Sequence, residues 1–77
     1  MVAVRWVHPT LRKYFEAVVE TDLFGDLVFI THEGGEQKNS DKEKKTAIDS
    51  YEVAQEWIKQ IHKRRLSHGY ELQPTML

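Results

Sequence analysis

The 77-residue sequence contains no cysteine and only two prolines. Without cysteine there is neither a disulfide framework nor a thiolate zinc cage to staple a small chain, so its stability has to come from packed sheet and helix. That absence favours an intracellular protein. No apolar run approaches the ~20 residues that cross a bilayer, and the opening MVAVRWVHPT lacks the apolar stretch and small-residue cleavage site of a signal peptide. The expectation is a soluble, cytoplasmic chain with no membrane contact. An excess of charge is missing as well: eleven Lys and Arg stand against twelve Asp and Glu, a formal net charge of -1. This excludes the whole-molecule field of a typical DNA binder, and any nucleic-acid contact must rest on a local patch.

The chain has 40% hydrophobic residues, which at this length suffice for one modest core and predict a single domain over residues 1–77. YFEAVVET, Tyr14 to Thr21, is rich in aromatic and β-branched residues, and alternation sets Phe15, Ala17 and Val19 on one face against Glu16 and Glu20 on the other. A strand follows from that pattern. Gly25 between Asp22 and Asp26 has the composition of a tight reversal, and Leu27 to Thr31 resumes the β pattern, completing an antiparallel hairpin. The polar stretch His32 to Lys42 reads as a solvated loop, and Glu43 to Ile48 as a third strand whose lysines suit a sheet edge. A helix start is marked at Asp49-Ser50, where either side chain can cap and Asp49 with Glu52 has capping-box spacing. The helix should run to about His68, with Ala54, Trp57, Ile58 and Ile61 as its apolar stripe. Gly69 is placed to leave it in a left-handed conformation, before a last short strand at Tyr70 and Leu72. Residues 1–10 and 73–77 are expected to be less ordered.

Taken in order, KYFEAVVE, DLFGDLVF, a glycine-bearing loop, AIDSYEVAQEW and RRLSHGYEL resemble the WGR domain over about residues 13–72. The resemblance implies an α+β fold, an antiparallel or mixed sheet with one long amphipathic helix packed on it. It also implies nucleic-acid binding, since WGR modules bind DNA near strand ends or breaks. The motif that names the family is altered here: with Gly34 aligned to its glycine, Glu33 stands at the tryptophan and Gly35 at the arginine. A carboxylate neither stacks on a base nor meets phosphate.

The candidate sites follow from these readings. Glu33, Gly34 and Gly35 form the loop at the motif position, where the glycines supply unusual backbone dihedrals or cradle a phosphate. The concentrated basic feature is Lys59, Lys63, Arg64, Arg65 and His68 near the helix end, a candidate nucleic-acid contact, although cations there are also favoured by the helix C-terminus. Arg65 continues the apolar stripe four residues after Ile61 and is placed to lie over the sheet edge. Trp57 reads as core, whereas Trp6 is either an interface anchor or part of an N-terminal strand. The four histidines show no metal-ligand spacing, and no serine has a readable histidine and acid partner. Neither a metal, a cofactor nor an enzymatic activity is expected. Two functions remain open: a DNA or other nucleic-acid module using the basic helix end, or a protein-interaction module using an acidic loop of Glu33, Glu36 and Asp41 or the lysine-bearing edge strand.

Overall fold

A computed structural model describes residues 2–35 and 41–73. The fold is α+β: five antiparallel strands in the order β4-β3-β2-β1-β5, with one helix packed on one face. The strands are β1 (Val2–His8), β2 (Lys13–Thr21), β3 (Leu27–Gly35), β4 (Lys42–Ile48) and β5 (Glu71–Gln73), and α1 (Tyr51–Ser67) joins β4 to β5. The predicted hairpin is β2–β3, β4 lies at an edge, and β5 forms as expected.

Two expectations are corrected. The N-terminal segment is not loosely held, because β1 pairs along its whole length with β2 and on its other side with β5. Its odd and even positions face opposite ways, and Trp6 on the inner side is fully buried with no exposed surface. The expected loop after His32 is also shorter at its start, since His32 to Gly35 continue β3 opposite Lys13 to Glu16. Residues 36–40 of that loop lie outside the described residues.

The core follows from register. Trp6 stands opposite Phe15, Val19 opposite Phe29 and Leu27 opposite Ile48, so one face of the sheet presents an apolar surface. The helix covers it with Ala54, which is buried, and with Val53, Trp57, Ile58 and Ile61, which pack around the buried cluster. Ser50, rather than Asp49, is the N-cap, its hydroxyl accepting from the Val53 amide at 3.4 Å. Trp57 sits at the margin of the core instead of within it: half-buried, it meets Phe29 edge-on with ring centroids 5.2 Å apart. Inside, the Trp6 indole N–H donates to Nδ1 of His62 at 3.0 Å, which ties β1 to the C-terminal half of the helix. No helix among the described residues is long and apolar enough to cross a membrane.

Candidate functional site

The helix ends in a hydrogen-bonded lock. With Gly69 at φ +88°, its amide donates to the Leu66 carbonyl at 3.1 Å and the Tyr70 amide reaches back to the Arg65 carbonyl at 2.9 Å, the Schellman pattern. That turn places Tyr70 beside Arg65, whose guanidinium carbon lies 4.7 Å from the Phe15 ring centroid and 5.2 Å from that of Tyr70. Arg65 thus spans helix, sheet and C-terminal turn, and its Nε is buried without a hydrogen-bond partner. On the other side of Tyr70, His8 packs edge-on at 5.3 Å, while its Nδ1 accepts from the Leu11 amide at 3.0 Å. Gly69 is held so close that a Cβ there would come within 2.8 Å of His8 Nε2. The helix end and the β1–β2 turn are therefore fixed to each other, and the cations of both lie at the same end of the sheet.

Beside this lock the helix leaves part of the sheet uncovered. A groove of about 1020 Å³ opens between α1 and the outer half of β3 and β4. Its apolar part is Phe15, Phe29, Trp57 and Ile61, and its charged rim is Lys42, Lys44 and Arg64 with Glu33 and Glu43. Lys42 and Lys44 are two residues apart on β4 and so share the helix-covered face. Helix-end stabilisation accounts for Arg64 and Arg65 in the last turn. It does not account for Lys42 and Lys44, which belong to a strand.

Charge is segregated along the strand direction. No Lys or Arg occurs at residues 14–37 or at residues 46–58. The end of the sheet formed by the β2–β3 turn and the β4–α1 connection consequently carries Glu20, Asp22, Asp26, Asp49 and Glu52 and, among the described residues, no basic side chain. Arg12, Lys13, Lys42, Arg64 and Arg65 gather at the opposite end, where they outnumber Glu33, Asp41 and Glu71, and Lys44 lies nearer the middle of the sheet. A net charge of -1 conceals one purely acidic end and one mixed end in which cations predominate.

The open face of the sheet carries a row of paired charges in register: Arg5, Glu16, His32 and Glu43 on four neighbouring strands. His32 Nε2 is 2.7 Å from Glu43 and its Nδ1 is 3.4 Å from Glu16. The bond to Glu43 is the main reason the His32 pKa is raised, with burial opposing it, and the same bond lowers that of Glu43.

The sequence-predicted site residues separate on the structure. Lys59 and Lys63 are exposed, Arg64 joins the groove rim, Arg65 is held in the aromatic sandwich, and His68 is exposed with its amide donating to the Arg64 and Arg65 carbonyls. Glu33 lines the groove, but Gly34 lies on the opposite face, buried opposite Tyr14. Neither Gly34 nor Gly35 has a positive φ. Their expected role as a loop with unusual dihedrals is thus replaced by close approach: a Cβ on Gly34 would collide with Asp41 and come 3.0 Å from the Tyr14 ring. Glu33 and Asp41 are consequently on different sides of β3, and Glu36 lies outside the described residues. Sequence reasoning missed Lys42, Lys44 and Phe15 as groove residues; the alternation in KEKKTAI was the available signal. No group of three or more His, Asp or Glu able to hold a metal ion occurs among the described residues. Comparisons of the chain with family models, curated proteins and solved structures find no match.

Proposed function

We propose that this chain is a small nucleic-acid-binding module that holds the phosphate backbone at its basic pole, along the groove between α1 and β4. The observation that carries the reading is the pairing of Lys42 and Lys44, strand cations without a helix-end role, with Arg64 across an aromatic recess. Cations supply affinity for phosphate, and a partly exposed ring such as Trp57 offers a base a stacking surface. The resemblance to the WGR domain supports the same class of ligand, with the altered motif position contributing Glu33 as a local brake on affinity. Lys59 and Lys63 extend this basic surface as outlying contacts, while Arg65 acts chiefly by holding the helix end in place.

The test is a titration of labelled single-stranded, blunt duplex and nicked duplex DNA at two salt concentrations. Binding should weaken as salt rises, and Lys44→Ala and Arg64→Ala should each lower the salt slope by about one with little dependence on sequence. Glu33→Gln should tighten binding. Quenching of Trp57 in a Trp6→Phe background would report occupancy of the groove. Absence of binding to all three DNAs at low salt, where electrostatic attraction is strongest, overturns the proposal.

A further inference from the structure

The β2–β3 turn displays two large apolar side chains to water: Leu23 is 99% and Phe24 88% exposed. They do not protrude because the turn is loose. Asp22 Oδ1 accepts from the Phe24 and Asp26 amides, each at 2.9 Å, the Asp22 amide donates to the Asp26 carbonyl at 2.9 Å, and the Gly25 amide to the Asp22 carbonyl at 3.1 Å. Asp22 and Gly25, the latter at φ +83°, satisfy the needs of this backbone. Nothing in the turn requires leucine or phenylalanine, and polar residues there would avoid the cost of hydrating about two apolar side chains. The turn is a rigid apolar knob flanked by Asp22 and Asp26.

A receptor for such a knob needs an apolar recess with a positive rim. The groove of this same chain has both, with Phe15, Trp57 and Ile61 inside and a rim in which Lys42, Lys44 and Arg64 outnumber Glu33 and Glu43. Its volume of about 1020 Å³ exceeds what two side chains occupy and falls at the upper end of ordinary ligand pockets. Knob and groove lie toward opposite ends of the strands, so a single molecule cannot bring them together. We infer that the β2–β3 knob of one copy docks in the α1–β4 groove of the next. The contact joins two different surfaces, so it does not close on a two-fold axis and leaves a free knob and a free groove at the ends of each assembly. A contact this small belongs to the weak, transient class and should depend on salt. It does not rest on the nucleic-acid reading, although a bound strand would compete for the groove.

Sedimentation in the absence of nucleic acid, over a range of protein concentrations, tests the inference with two variants. Leu23→Ser/Phe24→Ser removes the knob and keeps the groove; Lys42→Glu/Lys44→Glu reverses the rim and keeps the knob. Circular dichroism should show both folded, since all four positions are exposed. Wild type should grow in mass with concentration and dissociate in high salt, each variant alone should stay monomeric, and an equimolar mixture should form dimers and nothing larger. A wild type that is monomeric throughout overturns the inference, as does a mixture that remains monomeric. Self-association that persists in the rim variant would indicate a knob-to-knob contact and equally overturn it.

Discussion

Replacing His62 by leucine would strand the indole N–H of Trp6. That donor belongs to a side chain with no exposed surface, and its acceptor is His62 Nδ1 at 3.0 Å. An unsatisfied buried donor costs about 1–3 kcal/mol, whereas leucine retains an apolar body against the sheet. For a domain of this size each kcal/mol corresponds to roughly 4–8 °C in Tm, so the loss is well within reach of a thermal melt followed by circular dichroism. His62 and Trp6 also touch through their rings, at a centroid distance of 6.2 Å, and a single substitution mixes the two effects. A double-mutant cycle separates them: in a Trp6→Phe background, which has no donor, His62→Leu should be nearly neutral, leaving a coupling of about 1–3 kcal/mol. His62→Gln, with an oxygen able to accept, should recover part of the stability. Equal melting of wild type and His62→Leu would refute the reasoning, because a buried indole would then tolerate the loss of its partner without cost.

Gly34→Ala should destabilise by about 1–3 kcal/mol in a denaturant titration, because the added methyl meets Asp41 and the Tyr14 ring, and Tyr14→Ala should lessen that penalty. The His32–Glu43 pair predicts a pH window. His32, raised above its ordinary 6.5, stabilises fully below that pH and loses its contribution as pH rises through the folded value; Glu43, lowered from 4.5, contributes above that pH and loses its share as pH falls through the depressed value. Stabilisation by the pair should therefore be greatest between about pH 4.5 and 6.5, and in an NMR titration Glu43→Gln should move the His32 midpoint downward; an unmoved midpoint would count against the bond. Phe24→Ser should leave the stability of dilute protein almost unchanged, within about 0.5 kcal/mol, as expected of a residue that is 88% exposed.

Where the sequence was legible, a local period decided the outcome. Phe15, Ala17 and Val19 alternate as strand residues do, the stripe from Ala54 to Ile61 repeats at three and four, and Gly69 marks the helix end through its positive φ. Val2, Val4 and Trp6 also alternate, but at a terminal position that signal left an N-terminal strand as only one of two readings of Trp6. Gly34 misled for a different reason. A glycine beside polar residues suggests a turn, whereas the cause here is Tyr14 on the neighbouring strand, which no local window contains. The groove was hidden altogether, since it depends on how far the helix lies from β4 and not on any residue's own preference.

The two charged ends have a consequence for how the protein meets a polyanion. A particle with almost no net charge but a large electric moment is turned by a field more than it is drawn along it, and that influence fades within about 10 Å at 0.1 M salt. Long-range capture should therefore be poor, and random encounters should succeed only when Lys42, Lys44 and Arg64 arrive first. Association would then be governed by orientation at close range: slower than for a cationic protein of the same size, and one-sided, with the acidic hairpin trailing toward the solvent.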